Sequence, residues 1–123
     1  MKKYILVVED NPLASKIVNV FLGSLSCQID NVDDGDKAIE MAIKNRYDGI
    51  CMDIGLPTVS GLDACIAIRK YEAEQGLLPV PIIAVTANDS PEKKQQYLEA
   101  GMQEVFSKPF TMEKAELFFA LCK

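Results

Sequence analysis

Five side chains, far apart in the chain, are of types that could carry phosphoryl chemistry if the fold gathers them: Glu9, Asp10, Asp53, Thr86 and Lys108. Two unit charges ~4 Å apart repel by roughly 4 kcal/mol at an effective dielectric near 20. Three converging carboxylates therefore require either a proton or a cation among them. A hard divalent ion is the economical answer, and magnesium favours oxygen ligands from one or two carboxylates, water and a phosphate. An ammonium group such as Lys108 can neutralise a phosphoryl oxygen, and the Thr86 hydroxyl can donate to another. Asp53 can then act as the nucleophile, since carboxylates form aspartyl phosphates. Phosphoryl transfer asks mainly for positioning and charge neutralisation. These residue types point to magnesium-assisted phosphorylation of Asp53.

Each of these residues follows a segment that reads as a strand. Tyr4-Ile5-Leu6-Val7-Val8 is a continuous apolar run, as a strand buried on both faces should be, and Glu9-Asp10 follow it. Asn11-Pro12 opens a helix whose inward stripe is expected at Leu13, Ile17, Phe21 and Leu25. Cys27 to Val32 is a weaker strand, Asp33-Asp34-Gly35 is turn chemistry, and Ala38, Ile39 and Ala42 mark a second helix. Ile50-Cys51-Met52 leads into Asp53; Leu56-Pro57 and Ser60-Gly61 form a loop before a helix with Leu62, Cys65 and Ile66 inward. After a break from Gly76 to Pro81, Ile82-Ile83-Ala84-Val85 ends at Thr86-Ala87. Pro91 begins a polar helix anchored by Tyr97 and Leu98, Val105-Phe106 is a short strand before Lys108-Pro109, and Thr111 caps the last helix. That helix carries Met112, Ala115, Phe118, Phe119 and Cys122 on one stripe, with Leu117 and Leu121 opposite.

Consecutive strand–helix units of this kind call for an α/β fold, a doubly wound five-stranded parallel sheet with helices on both faces. The first, third and fourth strands are the most apolar and the second and fifth the most polar. That ranking suits the flavodoxin-like (βα)5 order 2-1-3-4-5, whose ligands sit beyond the carboxyl ends of the strands. The chemically interesting residues fall at those ends. Acids after strands are also common helix caps, and Thr86 or Lys108 alone would mean nothing. Their joint phase with successive strand ends favours a site.

Composition narrows the classes further. The 123 residues are 49% apolar and 25% charged, and suit one domain over 1–123 with a real core. No apolar run approaches the ~18 residues of a membrane span, and no secretory leader is visible, so a cytoplasmic protein is expected. The net charge of −5 weighs against nucleic acid and acidic membranes as partners. The chain has no histidine, which excludes a Ser-His-Asp triad, a His-ligated metal and a phosphohistidine of its own. Its 4 cysteines form no CxxC pair, and Cys51 and Cys65 read as small buried hydrophobes.

Val7-Val8-Glu9-Asp10-Asn11, Met52-Asp53-Ile54-Gly55-Leu56-Pro57 with Gly61, Val85-Thr86-Ala87 and Ser107-Lys108-Pro109-Phe110 together resemble the receiver domain of two-component response regulators. The run from Ile82 to Asn88, with Gly76 and Val80-Pro81 before it, resembles in particular the receivers of hybrid sensor histidine kinases. The resemblance covers essentially the whole chain. It implies a phosphorelay module in which Asp53 accepts a phosphoryl group from a partner phosphohistidine, on a histidine kinase or a histidine phosphotransfer protein. It further implies that Asp10 ligates Mg²⁺ directly, Glu9 helps largely through water, and the Gly55 carbonyl joins Asp53 in the coordination. Lys108 would contact the phosphoryl group through a cis bond to Pro109, Thr86 would swing toward it, and small Ala87 would leave access. Output is expected as changed protein contacts, with a target or a second copy meeting the last two helices.

One position departs from that family. Tyrosine or phenylalanine is usual three residues before the lysine, and Val105 stands here; Phe106 should point to the other face of its strand. The aromatic half of the usual switch is therefore missing, while the phosphorylation chemistry is intact. Gly55 and Asn88 offer no well-placed group to activate water, which suggests slow autodephosphorylation. Three other readings compete. A non-phosphorylated pseudo-receiver would commonly lose one of the acidic, hydroxyl or lysine positions. A magnesium phosphatase would want a second acid where Gly55 stands. A flavin carrier would need phosphate-cradling donors where Glu9-Asp10-Asn11-Pro12 would repel. With its last helix ending near Lys123, no output domain is expected within these residues. Met1 suggests a stand-alone regulator and the hybrid-like motifs a piece of a kinase.

Overall fold

The computed structural model describes residues 2–123. Strands and helices alternate throughout: β1 (Tyr4–Val8), α1 (Pro12–Ser24), β2 (Gln28–Val32), α2 (Gly35–Lys44), β3 (Gly49–Asp53), α3 (Gly61–Gln75), β4 (Ile82–Thr86), α4 (Pro91–Glu99), β5 (Glu104–Ser107) and α5 (Met112–Leu121). The sheet is parallel in the order β2-β1-β3-β4-β5, as the strand hydrophobicities predicted. The three central strands are buried along almost their whole length, whereas the edge strand β2 is only partly covered.

Alternation along each strand divides the core in two. Leu6, Val8, Ile50, Met52, Ala84 and Val105 face α2, α3 and α4. Ile5, Val7, Cys51, Ile83, Val85 and Phe106 face α1 and α5. Val105 and Phe106 thus lie on opposite faces, as the strand period requires. Cys51 and Cys65 are buried free thiols, and burial raises both, Cys65 to about 11.

Helix starts follow local chemistry. The Asn11 side chain accepts from the Leu13 and Ala14 N–H groups at 3.0 Å with Pro12 in the first turn. Ser60, Ser90 and Thr111 cap α3, α4 and α5 in the same way. Gly76, at φ 65°, takes the left-handed conformation that ends α3.

Two inward stripes differ from expectation. In α1 the buried residues are Val18 and Leu22, with Phe21 and Leu25 partly covered, while Leu13 and Ile17 stand 68% and 41% exposed. This helix is apolar around most of its circumference, so periodicity cannot choose among neighbouring i, i+4 ladders; the sheet and α5 choose. In α3, Ala64, Cys65 and Ile68 are buried and Ile66 is exposed; the run Ala64–Ile68 is apolar at every position, so its periodicity leaves the inward ladder to packing. On α4 only one of the two expected anchors is buried: Tyr97 is covered and Leu98 is exposed.

Candidate functional site

Strand register does the gathering. Asp53 lies opposite Val85, and the next pair across is Thr86 with Ser107, so Asp53, Thr86 and Lys108 leave the same sheet end in succession. Backbone bonds hold that end: Ile54 N–H donates to the Val85 carbonyl at 3.2 Å, Lys108 N–H to Thr86 at 2.9 Å and Glu9 N–H to Val32 at 3.0 Å. The Lys108–Pro109 peptide is cis.

At this end Glu9, Asp10 and Asp53 each offer a carboxylate oxygen, all within 4.8 Å of one another. Glu9 and Asp53 are buried and Asp10 is exposed. The Lys108 ammonium lies 3.2 Å from Asp53 Oδ1 and 3.7 Å from Glu9 Oε1. The Gly55 N–H donates to Asp53 Oδ1 at 3.3 Å, and the Asn11 N–H to Glu9 Oε2 at 3.2 Å. Burial, then the hydrogen bond and charge of Asp53, push the Glu9 carboxyl up to about 7, against the pull of Asn11 and Lys108. Burial pulls the Lys108 ammonium down, but Asp53, Glu9 and Asp10 together outweigh it and raise it. Burial first, and the neighbouring Asp53 second, thus disfavour a second full negative charge beside the acceptor. Oxygen donors alone, on a scale an ion could bridge, fit magnesium better than a softer metal.

Thr86 is buried, and its hydroxyl accepts from the Asn88 N–H at 3.0 Å and donates to the Asn88 carbonyl at 3.2 Å. Ala87 beside it is exposed. On the other side of Asp53, the loop 54–60 leaves and returns to the nucleophile: the Gly61 N–H donates to the Ile54 carbonyl at 3.0 Å. A Cβ on Gly61 would stand 2.1 Å from the Asp53 carbonyl oxygen, so only glycine lets the loop close there. Asp34, turn chemistry by its sequence pattern, has a side chain whose destination that pattern does not show. Its carboxylate caps α2 and also accepts from Thr58 and Val59 in this loop. The Asp-Gly start of α2 signals a cap; the second attachment is made only by the tertiary fold.

Beside Asp53 a cavity of about 380 Å³ opens between α1 and the segment Pro109–Phe110, lined mostly by apolar groups including Val7, Ala14, Ile17 and Val18. From its rim at Ile17 an exposed apolar stripe runs along α1 through Leu13, Ile17 and Val20, 68%, 41% and 61% exposed.

The fold is a doubly wound sheet with acids, a hydroxyl and a lysine gathered on the ends of β1, β3, β4 and β5. Residues 5–118 match the response regulator receiver domain, and the chain belongs to that family. It is 39% identical over 110 residues to hybrid signal transduction histidine kinase I of Dictyostelium discoideum, covering 85% of this chain and 6% of that protein. The chain spans 5% to 21% of the length of the curated relatives it matches. Among solved structures it resembles the receiver domain of sensor histidine kinase PA1611 from Pseudomonas aeruginosa, with magnesium coordinated in that protein's active-site cleft. The TM-score is 0.83 at 39% identity over 98% of this chain and 95% of that one. It also resembles the receiver domain of Saccharomyces cerevisiae Ssk1, solved with the histidine phosphotransfer protein Ypd1. There the TM-score is 0.88 at 29% identity, over 94% and 84% of the two chains. Among the described residues no helix is long and apolar enough to cross a membrane.

Proposed function

We propose that this chain is a cytoplasmic phosphorelay module, a single receiver domain over 1–123, that takes a phosphoryl group from a partner phosphohistidine onto Asp53. The observation that carries the reading is the Lys108 ammonium 3.2 Å from Asp53 Oδ1, on a carboxylate that shares its site with Glu9 and Asp10. Glu9, Asp10, Asp53 and the Gly55 carbonyl would hold Mg²⁺, which supplies positive charge to the phosphoryl oxygens when bound. In the transfer, an Asp53 oxygen forms the new bond to phosphorus while the bond to the donor imidazole nitrogen breaks, its electron pair returning to the ring. Lys108 neutralises charge spread over the transferred oxygens, and Gly55 N–H keeps the Asp53 carboxylate aimed. Thr86 then gives up its bonds to Asn88 to reach the phosphoryl group, releasing the loop 87–90. Ala87 leaves the approach open, Pro109 shapes the turn that presents Lys108, and Val105 stands where an aromatic ring would belong to the usual switch.

The donor is a histidine kinase or a histidine phosphotransfer protein. The apolar stripe Leu13–Ile17–Val20, continuous with the cavity beside Asp53, supports docking of an apolar helical surface on α1. Leu117 and Leu121, 52% and 41% exposed on α5, support a second contact for a target or another copy. Autodephosphorylation is slow, because neither Gly55 nor Asn88 carries a group suited to activate water.

Intact-protein mass spectrometry after incubation with acetyl phosphate, and with a phosphorylated histidine phosphotransfer protein, tests this. A magnesium-dependent gain of one phosphoryl mass, lost in Asp53→Asn, is expected. No gain from either donor would leave the non-phosphorylated pseudo-receiver as the better reading.

A further inference from the structure

Asp34 lies outside the acidic trio, on the corner between β2 and α2, yet its carboxylate is buried with backbone N–H groups from two elements around it. Oδ1 accepts from Gly35 at 2.7 Å, Val59 at 3.0 Å and Thr58 at 3.2 Å, and Oδ2 from Thr58 at 3.2 Å. A cap for α2 needs only the first of these. The rest bind the far side of the loop 54–60, and the Gly35 N–H adds a bond to the Val59 carbonyl at 3.1 Å. The two backbones lie so close that a Cβ on Gly35 would stand 2.1 Å from the Val59 oxygen.

Charge-assisted bonds of a buried carboxylate to backbone N–H groups are among the stronger protein hydrogen bonds. The Val59 N–H holds Asp34 below the usual carboxylate range; burial acts the other way, and Thr58 and Gly35 add to the lowering. The loop so held has Asp53 at its start and Gly61 fastened back to Ile54 at its end. Between them stands Gly55, whose N–H touches the Asp53 carboxylate and whose carbonyl belongs to the proposed metal site.

We infer that Asp34 is a positioning residue for phosphoryl transfer: by clamping Thr58 and Val59 it fixes the loop that aims Asp53 and presents the Gly55 carbonyl to the metal. The inference rests on the proposed magnesium-dependent phosphorylation of Asp53. Asp34 itself touches none of the reacting groups; it acts through the loop. Outer partners that orient metal ligands typically affect metal affinity by about 10–100-fold.

The test titrates Mg²⁺ into wild type, Asp34→Ala, Asp34→Asn and Asp34→Ser by calorimetry, and follows exchange of the Gly61 amide without metal. Serine keeps a helix cap but is too short to reach the loop, so it separates the two duties if alanine unfolds. The expected result is at least ~10-fold weaker Mg²⁺ binding in Ala and Ser. Asn, which keeps one carbonyl oxygen for the same donors, should return most of the affinity. Acetyl phosphate labelling of Ala should recover toward wild type at saturating Mg²⁺, and Gly61 exchange should be faster in Ala and Ser than in wild type. A folded Ala or Ser variant with wild-type magnesium affinity and unchanged Gly61 exchange overturns the inference while leaving the function intact. A lowered melting temperature with unchanged affinity does the same, since it marks a helix cap alone. If wild type itself binds no Mg²⁺, the function reading falls and the inference falls with it, an outcome distinct from the variant results.

Discussion

The two loops that flank the acceptor are built differently. The loop 54–60 is tied to another part of the chain: Thr58 and Val59 donate to Asp34, Val59 accepts from Gly35, and Leu56 is buried. The loop 87–90 is tied only to its immediate neighbours in sequence among the described residues, through Thr86 with Asn88, the Ser90 N–H to Asn88 Oδ1 at 3.2 Å and the Ser90 cap on the first turn of α4. The helices behind them repeat the contrast. α3 buries Gly61, Ala64, Cys65, Ile68 and Glu72, whereas in α4 Tyr97 alone is buried. At its far end α4 is fastened, because Arg69 donates to the Gly101 carbonyl at 3.1 and 2.8 Å. A segment with few buried contacts and local hydrogen bonds opens at lower free energy than one cross-tied to the core. One side of Asp53 is thus tethered to the rest of the fold and the other is not, and on the proposed function the first would hold the chemistry still while the second responds to it.

The contrast can be broken from the stiff side with the largest effect. Gly61→Ala would force a Cβ to 2.1 Å from the Asp53 carbonyl oxygen, against nothing within 4 Å for Gly55→Ala. Urea unfolding should show a loss of about 3 kcal/mol for the first and less than about 0.5 kcal/mol for the second. Equal losses would mean that the loop is not tightly closed. On the loose side, Tyr97→Leu should cost about 1–2 kcal/mol. Amide exchange should rise across α4 while α3 stays protected, and uniform loss of protection would contradict separate behaviour.

A smaller effect is electrostatic. Without metal, the native state keeps the Glu9 proton between its ordinary carboxyl value of 4.5 and about 7, while the unfolded chain has released it. Stability of the metal-free protein should therefore fall as pH rises through that window, and magnesium affinity should rise as the proton leaves. Melting curves from pH 5 to 8 check this, and Glu9→Gln should flatten the Glu9 part of the slope. The smallest effect is expected for Val105→Tyr, which restores a ring on the α4 side of β5. Labelling of Asp53 should change less than about twofold, and any altered binding would appear at partners of α4 and α5.

Much of this was legible in the residue order. Continuous apolar runs at Tyr4–Val8 and Ile82–Val85 announce buried parallel strands, and acids or a lysine just after such runs announce a site, because parallel strands all end on one edge. The phase of α1 was not legible, since Leu13, Ile17, Val18 and Leu22 satisfy two ladders and only packing against the sheet selects one. Nor was the second task of Asp34, or the buried Glu72, which accepts from Arg69 and the Val80 N–H at 2.7 Å each. Thr58, Val59 and Val80 lie in loops that no local pattern ties to these acids; only the Arg69–Glu72 pair, at i, i+3 on α3, has a spacing the residue order displays.

The most direct measurement is residue-resolved amide exchange on the magnesium-loaded protein before and after phosphorylation of Asp53 by acetyl phosphate. The expected result is a change in exchange concentrated in residues 86–100, with 54–61 unaltered or more protected. Increased exchange in 54–61, or none in 86–100, would contradict the division of the site into a holding side and a responding side.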